Sequence, residues 1–359
     1  MATFILKLIL MSIMNRLELD MFQIQYYNNS SISTMQPTVR FNDISILRVS
    51  AMLMVVFYHC LCPYSIWDGS DYFIGFHVQT WDVVAGMLSQ VHLPIFFLIS
   101  GYLFAYKRNM GGYDDNIKFV KDKAARVLIP YCVIGLSLCI LQNRDVGQML
   151  NGISHLWFLL AIFECYILGK AIEGVLLIPE RKRQVLMVML LLFLILVPYR
   201  IPEVRFLCLS RIVTYFPYYL IGMLASKIDF GTLTKYKSKV LGLILMLMLL
   251  FVFQQIYVKR GIVTATFGVY LVLLSFTYVR LLNIPKLHSW MISLDKCSMG
   301  IYIVHHILIQ ELITISVFRS LATEYCYIFP CVLFISVTII SWGMVWSAKK
   351  NKYSKYIIG

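Results

Sequence analysis

The chain has 359 residues, 60% of them hydrophobic and only 14% charged, whereas soluble domains run nearer half apolar and a quarter charged. That balance excludes a soluble globular domain and marks a polytopic integral membrane protein. The net charge of +14 would suit nucleic acid, but the basic residues lie in short clusters between apolar runs, with no aromatic-interleaved basic domain, so membrane lipids rather than nucleic acid are the expected surroundings.

Residues 1–40 open with an apolar run from Met1 to Met14 that has no small-residue cleavage site and leads into polar Asn28, Asn29, Ser30, Ser31 and Ser33. They read as an amphipathic or mobile N-terminal extension rather than a secretory signal. A start at Met35 would change nothing downstream.

Ten apolar runs follow, at about 44–62, 83–105, 126–142, 155–173, 184–199, 211–227, 239–257, 262–280, 297–318 and 326–346, and are read against the roughly 17–25 residues a tilted spanning helix needs. The expected fold is therefore all-α: a ten-helix membrane domain over 41–346 and a basic tail over 347–359. The third and fifth runs are short and need flanking residues or a tilted neighbour to cover their ends. Cytoplasmic loops hold the excess of Lys and Arg. Assigning the amino-terminal side to the cytoplasm puts 21 such residues there against seven opposite, the seven being Arg144, Arg200, Arg205, Arg211, Lys259, Arg260 and Arg319. Both termini are expected to be cytoplasmic.

The first run contains two ionisable residues, Arg48 and His59. Eleven positions at about 100° each return both side chains to nearly one helix face, with a rise of roughly 16 Å between them. Ionisable groups are expensive in lipid and survive where they face a bundle interior or a wet cavity. The two therefore mark two depths of one path across the membrane, a better match to a long substrate than to a compact ion site. Against this stands a purely structural role in helix packing.

The cysteines form no C-x-x-C pair and read as small buried hydrophobes. No G-x-x-x-x-G-K-[ST], G-x-S-x-G, H-E-x-x-H or dinucleotide fingerprint is present, so ATP-driven transport and metal-dependent hydrolysis lose their usual sequence support, and no metal is expected.

The Arg48, ten residues, His59 pattern resembles the signature of the acyltransferase 3 family, ten-helix membrane enzymes that acylate hydroxyls, commonly on cell-surface sugars. Four further segments are similar to that family's motifs: His92 to Tyr102, ending in Ser100-Gly101-Tyr102; the basic stretch Phe119 to Tyr131; His155-Leu156-Trp157-Phe158-Leu159; and Gly300-Ile301-Tyr302-Ile303-Val304-His305. The resemblance runs from about 41 to 346. One departure is that the family's basic loop carries Arg-x-x-Arg where this chain has Lys123 and Arg126. Lysine keeps the charge and loses the planar fork that grips phosphate in two places.

The resemblance implies a donor, acyl-CoA, whose phosphates would meet Lys121, Lys123 and Arg126 through charge-assisted hydrogen bonds, though the same cluster is also what the positive-inside rule supplies. Moving an acyl group from a thioester to an alcohol needs a base for the hydroxyl proton, and histidine suits working pH. His59 is the expected base, an acyl-histidine intermediate being the variant, and Arg48 the inner guide or electrostatic stabiliser. His305, Trp157, His155, His92 and Ser100 are candidate substrate or structural contacts. Glu164 and Glu311 are candidate partners for basic groups on other helices.

The expectation is thus an integral membrane O-acyltransferase that moves an acyl group, most simply acetyl, from cytoplasmic acyl-CoA to a hydroxyl of a cell-envelope polysaccharide or lipid-linked glycan, in a bacterial cytoplasmic membrane. No long segment follows the last run, so transfer is expected to be completed within the membrane domain or by a partner. The alternatives are succinyl or longer-chain transfer, or a non-catalytic transporter or flippase for an anionic or lipid-linked sugar using Arg48 and His59 as binding or proton-relay groups.

Overall fold

A computed structural model describes residues 41–351, apart from 69, 198–201, 232, 258–261 and 283. The expectations for the extension at 1–40 and for the end of the basic tail lie outside the described residues. Among the described residues the secondary structure is helical, with no strand, and nine helical segments are long and apolar enough to cross a membrane.

In chain order the helices are α1 (Asn42–Leu61), α2 (Gln79–Ser89), α3 (His92–Asn109), α4 (Asn116–Lys123), α5 (Ile129–Leu141), α6 (Trp157–Ala171), α7 (Glu180–Leu196), α8 (Leu209–Ala225), α9 (Lys237–Tyr257), α10 (Ile262–Leu281), α11 (Ser289–Thr314), α12 (Ser316–Glu324) and α13 (Phe329–Ala348). α2 and α3 together make the second span, and α4 and α5, joined through a π turn at Ala124–Leu128, make the third. The fifth sequence run corresponds to α7, a helix of 17 residues whose first turn is the charged stretch Glu180-Arg181-Lys182-Arg183. At 1.5 Å per residue its apolar part alone is too short to cross comfortably, which is why nine segments rather than ten reach spanning length.

α1 is the hub. It is uninterrupted by Gly or Pro until Pro63, which sits in the 3₁₀ turn Cys62–Tyr64 that closes it, and it packs against α2, α3, α10, α11 and α13. Asp43 in its first turn bonds the Ile44 amide and pairs with Arg280 of α10. An acidic side chain there also complements the positive end of the helix dipole. By contrast α9 and α7 turn Leu245, Leu249, Phe253, Val188, Met189 and Leu192 outward, as lipid-facing helices do.

Both ends of the described chain lie at one end of the bundle. The Asn42 amide donates to the Ile284 and Pro285 carbonyls, and the Lys349 ammonium donates to the Lys296 carbonyl. At the opposite end, Tyr64 donates to the Ala322 carbonyl, the Trp81 indole to Cys326, and Arg319 to the Asp71 and Phe73 carbonyls. These bonds strap the 65–78 connection to the region around α12.

The closest helix pair is α3 with α8. A Cβ placed on Gly101 would come within 1.8 Å of the Tyr219 carbonyl oxygen, and one on Gly222 within 2.0 Å of the Leu98 oxygen. In lipid, where apolar burial does not drive helices together, small residues allow the backbone approach that packing needs. Phe97 stacks on Tyr215 at 4.9 Å beside this contact. Gly101→Ala or Gly222→Ala is expected to lower stability by about 1–3 kcal/mol, as overpacking does, read as a drop in the thermal midpoint of the detergent-solubilised protein. Gly343→Ala, in a helix interior where a Cβ meets nothing within 4 Å, should not lower it, since alanine is the better helix former.

Candidate active site

Five histidines converge near the end of the bundle away from the described termini. His59 comes from α1, His92 from the start of α3, His155 from the 3₁₀ turn Ser154–Leu156 before α6, and His305 and His306 from α11. Ring centroids lie 5.0 Å apart for His59 and His305, 4.8 Å for His59 and His306, and 4.3 Å for the stacked pair His155 and His306. His92 packs on Tyr58 at 5.0 Å. His305 is wholly buried, whereas His59 is half-buried.

The hydrogen bonds fix the tautomers. His305 Nδ1 lies 3.0 Å from the Ile301 carbonyl, so it carries the proton and leaves Nε2 as an acceptor. That Nε2 is 2.9 Å from His59 Nδ1, which is also 3.0 Å from the Val55 carbonyl. His59 Nδ1–H therefore faces two acceptors, and the neutral ring keeps its lone pair on Nε2. On the other side His155 Nε2 donates to the Ile303 carbonyl at 3.0 Å, and the Tyr302 hydroxyl donates to the His155 carbonyl. Among the described residues no three His, Cys, Asp or Glu side chains are arranged to hold a metal ion.

A partly open cavity of about 450 Å³ adjoins this cluster, with His59, His92, His155 and His306 in its wall. Tyr58, Trp67, Tyr72, Trp157, Tyr215 and Tyr302 supply aromatic surface, and Arg144 and Arg211 supply charge. Trp67, on the strapped 65–78 connection, meets His306 edge to face at 5.2 Å. Placement of His155 depends on Gly152, at φ +80°, where a Cβ would sit 2.5 Å from Trp157 Cβ and 2.6 Å from Cys208 Sγ. Tyr131 of α5 secures the same connection by donating to the Met149 carbonyl and accepting from the Ile153 amide.

Arg48 lies toward the other end of α1. Its guanidinium donates to Asp295 Oδ1 at 2.8 Å, and Ser45 donates to Oδ2 of the same carboxylate at 2.8 Å. Arg48 is not in the wall of the His59 cavity, so the two share one helix without sharing that space. Near Arg48 is a basic group: Lys123 donates to the Tyr113 hydroxyl at 3.1 Å and sits 4.1 Å over the Tyr166 ring. Tyr166 is within hydrogen-bonding reach of Ser100 and electrostatic reach of Lys123, Arg126 and Arg48. Arg126 is exposed on the π turn, and Lys121 is exposed one turn earlier.

Of the residues singled out from sequence, His59, His92, His155, His305 and Trp157 meet at the cavity and its histidine cluster, while Arg48, Ser100, Lys123 and Arg126 gather away from it. Among the described residues neither Glu164 nor Glu311 is bonded to a basic side chain. Carboxylates that do fill that role are Asp295 and Asp43, and Glu173, which pairs with Arg108 of α3. Asp295 escaped the sequence reading because the hydropathy window began at 297, whereas α11 starts two turns earlier at Ser289. His306, Trp67, Arg144 and Arg211 were also missed, since each is brought to the cavity by tertiary contacts alone.

Nine apolar helical segments of spanning length among the described residues, with a half-buried histidine facing a cavity between them, make this a multi-pass membrane protein. The sequence model of the acyltransferase 3 family, described as an acyltransferase domain, matches residues 41–346, and the chain belongs to that family. Comparison with curated proteins and with solved structures gave no match.

Two outcomes follow from this geometry. Asp295→Asn should destabilise the protein by about 2 kcal/mol by leaving the Arg48 charge without its counter-ion, and a double-mutant cycle with Arg48→Met should show strong non-additivity in the thermal midpoints; additive effects would contradict the pairing. His77, exposed between Asp82 at 3.4 Å and Asp68 at 3.6 Å, has its pKa raised above the ordinary histidine value by its hydrogen bond to Asp82 first and then by the charges of both carboxylates. The protonated clasp is fully present below the ordinary value and is lost as pH rises through the raised one. Limited proteolysis of this connection should therefore quicken as pH rises above the ordinary histidine value of about 6.5, and His77→Gln should remove that dependence.

Proposed function

We propose that the protein is an O-acyltransferase that takes an acyl group, most simply acetyl, from acyl-CoA and esterifies a hydroxyl of a cell-envelope polysaccharide or lipid-linked glycan. The observation that carries this reading is the state of His59: Nδ1 is engaged by Val55 and His305, so the remaining nitrogen is a free base beside a cavity of about 450 Å³, a volume in the range of small-ligand sites.

In this reaction His59 Nε2 accepts the proton of the acceptor hydroxyl as its oxygen attacks the thioester carbonyl. The carbon–sulfur bond breaks, and the proton returns to the departing thiolate, giving an ester and free CoA. His305 is a positioning residue. Its Nε2 holds the His59 tautomer in which Nε2 lacks a proton, much as a second acceptor orients the base in other acyl-transfer sites.

The charge asymmetry of the loops supports an amino-terminal cytoplasmic side, so the end of the bundle carrying Lys123, Arg126 and Arg48 would receive the donor from the cytoplasm and the His59 cavity would open outward. Arg126, exposed on its π turn, and Lys123 would hold the CoA phosphates. Arg48, kept in place by Asp295 and Ser45, would mark the inner depth that the pantetheine arm passes. The membrane is taken as a bacterial cytoplasmic membrane.

The test is transfer from labelled acetyl-CoA to an envelope glycan fraction by the purified chain in nanodiscs. Wild type should form an alkali-labile labelled ester, and His59→Ala should reduce kcat by roughly 10²–10⁴. Arg126→Gln should raise KM for the donor about tenfold with little change in kcat. Solute movement without any ester would instead identify a transporter.

A further inference from the structure

We infer that the acceptor is an anionic sugar, with a carboxylate or phosphate group seated between Arg144 and Arg211 while its neighbouring hydroxyl faces His59. The inference rests on the acyl-transfer reading for the reaction and on separate observations for the charge.

The cavity wall contains two arginines, and among the described residues that line it there is no carboxylate. The acidic groups nearby are committed elsewhere. Asp145, next in sequence to Arg144, caps the following turn by accepting from the Gly147 amide at 3.0 Å. Glu203, within electrostatic reach of Arg211, is held by Arg205 at 3.2 Å. Neither arginine forms an ion pair among the described residues, and the other ionisable groups in the wall are four histidines, four tyrosines and Cys62, none of them a carboxylate. Two like charges facing one cavity at a bilayer rim repel each other less weakly than in bulk water, so a shared anion is the ligand that relieves the arrangement.

Arg211 is also preorganised. Its guanidinium lies 4.8 Å over the Trp157 ring, within hydrogen-bonding reach of Tyr215, and Trp157 is itself stacked on Tyr215 at 5.7 Å. Stacking fixes the plane of the fork and leaves its edge for a planar carboxylate or a phosphate, the groups that guanidinium recognises bidentately. Arg144 is within electrostatic reach of His306, whose ring touches that of His59. The charged group and the reacting hydroxyl thus belong to one sugar unit or to adjacent atoms of a sugar phosphate. The aromatic faces of Trp67 and Tyr72, 5.7 Å apart, offer the flat apolar surface for the rest of the ring.

Outer loops are poor in cations under the proposed orientation, seven against 21. That two of those seven reach a single cavity is not what positive-inside sorting produces. Both side chains are exposed, and Arg144 lies in the connection after α5, so Arg144 can be changed with little effect on folding, whereas Arg211 also contacts Trp157 of α6.

The experiment measures equilibrium binding to the full chain in phosphatidylcholine nanodiscs with three labelled probes: a hexuronate disaccharide, a hexose 1-phosphate and a neutral disaccharide. One or both charged probes should bind at least tenfold more tightly than the neutral one, and the better charged probe tells a sugar acid from a sugar phosphate. Arg144→Gln and Arg211→Gln should each remove the preference, with the Lys variants recovering part of it. Equal binding of all three probes, or a preference that survives both substitutions, overturns the inference. If Arg211→Gln does not survive purification, Arg144→Gln decides the matter alone. Acyl transfer is scored in parallel on acidic and neutral glycan fractions separated by anion exchange. Ester on neutral glycan without charged-probe preference leaves the acyltransferase reading standing and removes this one; arginine-dependent binding of charged probes with no ester anywhere does the reverse.

Discussion

A polar side chain packed inside a bilayer-embedded bundle is costly to leave unpaired, and the placement of α1 follows from how its own ionisable groups are met. The ring nitrogens of His59, His155 and His305 turn to backbone carbonyls or to one another, and the two charges low on α1 meet counter-charges on α11 and α10. Each of these bonds is also a helix-to-helix restraint or fixes the face a side chain presents. Because lipid tails compete equally for apolar surface, such contacts and the tight packing of α3 on α8 decide which helices are neighbours. The chemistry and the packing of α1 are therefore the same set of interactions.

That economy explains the separation of Arg48 from the His59 cavity. Both lie on one helix, and the sequence spacing puts them on one face, but α11 lies along that face and contributes Asp295 at one level and His305 at the other. α11 thus divides the face into an ion-paired half and an imidazole half. Tyr166 and Ser100 lie beside the basic half of this helix pair and Tyr302 beside the imidazole half.

Much of the fold was legible in the sequence because hydropathy runs report lipid contact directly. Among the described residues each of the ten apolar stretches falls on a helix or, for the second and ninth, on two in succession, and the short third reaches spanning size because α4 and the π turn extend it. The fifth falls short because its first turn is charged. The site was legible only residue by residue. Arg48 and His59 stand out since ionisable groups in an apolar run are conspicuous, whereas His306 hides beside His305 and Asp295 falls outside the hydropathy window. Arg144 and Arg211 read as ordinary loop charges, because one-dimensional spacing carries no sign that residues 67 positions apart share a cavity wall. The convergence of His92, His155 and His305 on His59 is likewise a product of helix assembly.

The π turn at Ala124–Leu128 carries a mechanical consequence. A π turn holds one residue more than the α-helix it interrupts, so the amphipathic α4 and the membrane-embedded α5 are out of phase by about 100° relative to a continuous helix. Arg126 is exposed on that turn, while Tyr131, one turn later, points at the connection that carries His155. A chain shortened by a single residue in this stretch would restore the regular winding and rotate the basic residues of α4 about the helix axis by about 100° without altering one side chain of the cavity wall. In this protein insertions and deletions, more than substitutions, are thus the changes able to turn the basic rim relative to the histidine cavity.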